Sequence, residues 1–117
     1  MVKTERQRYI LFQIIKEEDF QIDTQEILNS LWQSIWRYFG MKEANKIGLW
    51  LLELDENCGI IRCSDKTKEI IISSLTFIKE LKGKKIILSP VKTSGTIKSL
   101  KKVKNLINKR SLVKNEK

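Results

Sequence analysis

Histidine is missing from this chain of 117 residues altogether, proline occurs once and cysteine twice. Without histidine, acid–base catalysis at neutral pH lacks its usual agent. Two thiols alone cannot fill a four-ligand zinc site. Cys58 and Cys63 sit five residues apart across an expected hairpin. A chain without an export signal should keep them reduced, so both are read as small apolar residues. The start, MVKTERQRYILFQII, is charged early, short in its apolar run and followed by no small-residue cleavage site, which argues against a signal peptide. No apolar run approaches the ~18 residues that span a bilayer. The expectation is a soluble, cytoplasmic protein with no membrane partner. A Walker-type glycine loop, a metal-ligand cluster and a serine nucleophile elbow are also absent, so no cofactor is expected on the protein itself.

Acidic side chains are missing from Lys82 to Asn115. Over the whole chain the net charge is +9, and it is segregated. Residues 1–58 hold seven basic and ten acidic side chains, net −3, and residues 59–117 hold sixteen and four, net +12. Solubility alone favours interspersed signs, so a positive half points to a polyanionic partner such as RNA. The acidic groups Glu17–Asp19 and Glu53, Asp55 and Glu56 flank turns and read as solvated loops.

What is present reads as six alternating elements and a seventh. Arg8–Ile15 alternates as a strand, with Ile10, Phe12 and Ile14 on one face and Tyr9, Leu11 and Gln13 on the other. KEEDFQID is turn-like, and Asp23 with Glu26 forms a candidate capping box. The helix that follows has an apolar stripe of Ile27, Leu28, Leu31, Trp32, Ile35, Trp36 and Phe39, stopped by Gly40. IGLWLLEL, residues 47–54, is a strand apolar on both faces. Asp55–Gly59 is a hairpin turn with Gly59 at positive φ, and Ile60–Cys63 returns. A second helix, capped by Ser64 or Asp65, buries Ile71, Leu75 and Ile78 and ends at Gly83. Lys84–Ser89 is the fourth strand, and a last helix runs from Thr96 to Arg110. Residues 1–110 are thus expected to form one α+β domain with a frayed tail at 111–117. Its pattern, βαββαβ, is the ferredoxin-like split βαβ sandwich: a four-stranded antiparallel sheet, two helices on one face, and a C-terminal helix.

That fold hosts many activities, so function must come from sites. An RNA-recognition motif needs aromatics on its third strand. CGIIRC offers only Arg62 there, and base reading on the sheet is not expected. Acyl-phosphate hydrolysis would need an arginine in the first loop, where residues 16–23 supply only Lys16. With Ile10, Phe12, Trp50, Ile61 and Cys63 toward the helices, Tyr9, Leu11, Leu49 and Leu51 lie on the other sheet face. Leaving them in water costs about 1.5–3 kcal/mol each. They are covered either by the C-terminal helix or by a protein partner.

The junction VKTSGTIKSLKKVK carries the chemistry. At ~100° per residue, Ile97, Leu100, Val103, Leu106 and Ile107 share one side of the last helix. Lys98, Lys101, Lys102, Asn105 and Lys109 share the other. Ser94, Gly95 and Thr96 open the helix, where unpaired N–H groups and the positive dipole end favour an anion. Arg62, Lys84 and Lys85 are expected to extend the patch.

RYILFQI, GLWLLELDENCGIIRC and TSGTIKSLKK, taken in order over Arg8 to Lys104, resemble the small ferredoxin-like protein subunit of archaeal and eukaryotic ribonuclease P, protein component 2 in archaea. The resemblance implies a non-catalytic protein that supports a catalytic RNA. That RNA removes the 5′ leader of precursor tRNA with Mg2+ ions. The implied partners are the ribonuclease P RNA, a barrel-folded component 3 and other ribonuclease P proteins, with a homodimer inside a complex of two copies of each. Ser94, Gly95, Thr96, Ile97 and Lys98 match the family's turn and helix start, and Arg62 and Cys63 its third-strand motif. The resemblance supplies no catalytic residue, and the segment after Lys104 departs from the family. A generic structured-RNA or ribosome-associated binder is the rival from the residues alone, and a small acyl-phosphate hydrolase the rival enzyme.

Overall fold

A computed structural model describes residues 6–17, 21–44 and 47–115, without the side chains of 43–44 and 108–115. Part of the expected KEEDFQID turn, residues 18–20, lies outside the described residues. The first strand, β1 (Gln7–Lys16), leads to helix α1 (Thr24–Ala44). Strands β2 (Leu49–Leu54) and β3 (Cys58–Ser64) form a hairpin before helix α2 (Lys68–Phe77). A two-residue strand β4 (Glu80–Leu81), the long β5 (Lys84–Ser94) and helix α3 (Ile97–Asn115) complete the order. The sheet runs β2-β3-β1-β5-β4 and every pairing is antiparallel.

The sheet therefore has five strands where four are expected. Lys82 and Gly83 both take positive φ, 53° and 77°. Two such residues in succession match the twist of a tight hairpin, and they fold Glu80–Leu81 onto Lys84–Lys85. Gly83 thus turns a hairpin instead of ending α2, which stops at Phe77. The expected caps also differ. Thr67 is the N-cap of α2 with no side-chain cap bond; its hydroxyl is engaged with Ser64, and Asp65 is held by Arg8 and Lys68. Glu26 pairs with Lys82 instead of closing a capping box. Gly40, at φ 88°, interrupts α1, but a further turn carries it to Ala44. The last helix continues through residues 111–115, where a frayed tail is expected.

Helices α1 and α2 cover one sheet face. Between them and the sheet lie Ile10, Phe12, Ile27, Leu31, Ile35, Ile61, Cys63, Ile71, Leu75 and Leu88. Gly59 has no turn role. It pairs with Phe12 inside the sheet, and a Cβ there would stand 2.6 Å from the Phe12 ring. The other face is covered by α3, whose Leu100 is fully buried with Leu11, Cys58 and Ile60. Cys58 and Cys63 lie on opposite sheet faces, and both are free thiols.

Candidate nucleic-acid interface

Because α3 begins three residues after the last residue of β5, the sheet fixes where its first turn sits. Ser94 pairs with Tyr9 at the sheet end, and its Oγ accepts the Thr96 N–H at 3.2 Å. Thr96 and Ser99 hydroxyls meet at 3.1 Å. Gly95 is exposed, and a Cβ on it would meet Arg8 Nη1 at 2.9 Å. The Arg8 guanidinium therefore lies against the turn, oriented by its Nε–Asp65 bond of 2.8 Å. That hydrogen bond, with Lys68 behind it, holds the Asp65 carboxyl below its usual range. Arg8 reads in the sequence only as the start of a strand, 57 residues from the Asp65 that orients it, and the expected site lacks it.

Along α3, Ile97, Leu100, Val103 and Ile107 face the sheet. Leu106 does not: it is 58% exposed, a correction to the expected apolar stripe. Lys104 replaces it at the packing border, four residues on from Leu100. Its Nζ donates to Glu53 Oε2 at 3.1 Å and stands 3.3 Å from Asp55 Oδ2. Burial works against the Lys104 charge, but the hydrogen bonds to Glu53 and Asp55 prevail and raise its pKa. Burial likewise raises Asp55, yet the N–H groups of Asn57 and Cys58 and the Lys104 ammonium hold it below the ordinary value. The same pocket pushes the Cys58 thiol up to about 12, chiefly by burial and then by the Asp55 charge.

Lys98, Lys101 and Lys102 are all exposed, with Lys101 at the flank of the sheet-facing side of α3. Lys101 is not wholly remote from acid, since Glu53 lies 3.7 Å away. The side chain of Lys109 is outside the described residues. Lys84 and Lys85 are not part of this cluster. They open β5 and Ser94 closes it, so at ~3.3 Å per residue about 30 Å of strand separates them. Arg62 lies on the α3 face, paired with Tyr9 on one side and Trp50 on the other.

The expected protein-binding set is corrected in the same geometry. Leu11 is 0% exposed beneath α3 and Tyr9 is half-buried beside Ile97, so the chain covers that face itself. Leu49 and Leu51 pack on the opposite face, against the α1–α2 core. The register explains this, since Leu51 lies across from Ile61 and Leu49 from Cys63. Trp50, expected inside, is 51% exposed. Large apolar groups reach water elsewhere: Trp36, Tyr38 and Met41 on α1, and Phe77 on α2, with the Tyr38 and Phe77 rings 4.2 Å apart. Among the described residues no three His, Cys, Asp or Glu side chains could hold a metal ion, and no helix is long and apolar enough to cross a membrane.

Fold and interface together define a small, basic α+β protein with a lysine-fronted helix clamped across its sheet. The sequence model of the Rpp14/Pop5 family matches residues 8–104, and the chain belongs to that family. A protein of Pyrococcus furiosus named Ribonuclease P protein component 2 is 37% identical over 100 residues, 84% of this chain and 82% of the relative. Its namesake from Methanocaldococcus jannaschii is 31% identical over 97 residues, 83% of this chain and 71% of the relative. Among solved structures, a chain of yeast ribonuclease MRP superposes with a TM-score of 0.67 at 18% identity, covering 97% of this chain and 99% of the other. The family expected from RYILFQI, GIIRC and SGTIK is thus the family found.

Proposed function

We propose that this protein is a non-catalytic subunit of ribonuclease P, acting in the cytoplasm in removal of the 5′ leader from precursor tRNA. Its family relatives, named Ribonuclease P protein component 2, support the assignment. The observation that carries its mode of action is the exposed arc of Lys98, Lys101 and Lys102 on a helix anchored by Leu100. A helix held in place presents its cations at fixed spacing, so RNA phosphates meet them without reorganising the protein. Ser94, Gly95 and Thr96 bring amide and hydroxyl donors to the helix start, with the Arg8 guanidinium beside them. Such contacts position a backbone without reading its bases. They screen repulsion where the RNA folds tightly, and so favour binding of the Mg2+ ions that the RNA uses. In this reading those ions are held by the RNA.

The remaining partners are the barrel-folded component 3 and other ribonuclease P proteins, with a second copy of this chain inside a complex of two of each. The exposed Tyr38–Phe77 pair suits a protein partner better than the face closed by α3. Reconstituted cleavage of a precursor tRNA by the ribonuclease P RNA, with component 3 present, tests the proposal. Adding this protein should lower the Mg2+ required for cleavage. Cleavage unchanged at every Mg2+ and salt concentration contradicts it. Competition with ribosomal RNA separates it from a general structured-RNA binder.

A further inference from the structure

The third strand offers no aromatic for stacking on bases. The fold supplies one from the neighbouring strand. Leu49 and Leu51 turn into the α1–α2 core, so Trp50 between them emerges on the opposite face. There it lies across from Arg62, whose guanidinium carbon is 4.7 Å from the centroid of the indole ring. Helix α3 packs chiefly on β1, β3 and β5, and Trp50, on the edge strand β2, stays 51% exposed. Arg62 Nε is buried without a hydrogen-bond partner, and the guanidinium lies over the indole ring.

Register then extends the pair into a row. Trp50 pairs with Arg62, Arg62 with Tyr9, and Tyr9 with Ser94. One line across four strands thus runs indole, guanidinium, phenol, hydroxyl, and ends at the Ser94-Gly95-Thr96 turn. Three strand spacings of ~4.8 Å make it about 14 Å long. It contains a cation and no carboxylate. We propose that the open end of this row, at Trp50 and Arg62, is a subsite for an unpaired RNA nucleotide, whose base extends the Arg62–Trp50 stack. The proposal rests on the RNA-binding reading above and adds to its phosphate contacts a contact to the base. Aromatic and guanidinium planes accept any base, so the subsite discriminates unpaired from paired RNA without selecting a sequence.

Two RNA hairpins with equal numbers of phosphates and the same compact loop test it, one with a fully paired stem and one whose stem carries a bulge of two unpaired adenosines, each titrated with the full chain at one salt concentration. Trp50→Ala should weaken binding of the hairpin with unpaired bases by about 5- to 150-fold and change binding of the paired one less than twofold. Trp50→Phe should retain most of the preference, because a smaller ring still stacks. Equal losses on both hairpins, or no loss on either, overturn the subsite while leaving the RNA-binding reading standing. Failure of the unmodified protein to bind either hairpin overturns that reading as well.

Discussion

Gly59 has no side chain because Phe12 occupies the space one would need. A Cβ would stand 2.6 Å from Phe12 Cζ, 2.9 Å from Cε1 and 3.1 Å from the Glu53 carbonyl oxygen. Neither a buried ring nor a strand backbone yields cheaply, so Gly59→Ala should destabilise the fold by about 1–3 kcal/mol. Denaturant unfolding measures it, and an unchanged midpoint would mean that the ring has room to move. The sequence marks Gly59 as a glycine worth explaining and suggests the wrong reason. A glycine after Asp55-Glu56-Asn57 reads as a turn, and only the Phe12–Gly59 pairing reveals a packing role. Arg8 and Lys104 are hidden for a related reason: their partners, Asp65 and Glu53, lie 57 and 51 residues away.

Among the elements, those with a clear period are legible and those without are not. Helix α1 has a wide stripe and β1 alternates, and both appear where expected. Strand β2 reads IGLWLLEL, apolar at successive positions, so period alone cannot choose its buried face. Pairing with β3 chooses it, and Trp50 comes out while Leu49 and Leu51 go in. Helix α3 is legible as amphipathic, but whether it covers the sheet is a matter of where β5 delivers it. Its hold rests on Leu100, which is fully buried. Leu100→Ala should cost about 2–5 kcal/mol and speed amide hydrogen exchange along α3 more than along α1. Uniform exchange in both helices would contradict a local anchoring role.

The clamp of Lys104 on Asp55 adds a pH dependence to the same element. The Asp55 pKa is lowered in the fold from an ordinary 3.8. Its contribution to stability is therefore fully present above about pH 4 and lost as pH falls through the folded value. Lys104 is raised from 10.5, so its contribution persists below that value and is lost as pH rises through the folded one. Melting temperature should fall as pH drops below about 4, and Asp55→Asn should flatten that fall. Parallel profiles for the two proteins would assign the acid sensitivity to other carboxylates.

At the scale of the whole molecule, a net charge of +9 is arranged so that the second half of the chain carries the excess. That asymmetry is legible without any structure, and α3 carries much of it. Its spatial extent is not legible. Lys84 and Lys85 look continuous with the patch in sequence, yet the length of β5 carries them to the far end of the sheet. Glu53 also returns from β2 to temper Lys101. What faces outward is narrower than a basic half: a short cationic arc beside an open turn, on a helix fixed by a buried leucine. Each lysine that neutralises a phosphate releases counterions and contributes about 0.7–0.9 to the log–log salt slope of binding. The direct measurement is the salt dependence of affinity for the ribonuclease P RNA, comparing this protein with its Lys98→Ala, Lys101→Ala, Lys102→Ala variant. Binding should be weaker and the slope reduced by about 2, with an unchanged melting temperature; an identical slope in the two proteins would contradict phosphate contacts by this arc.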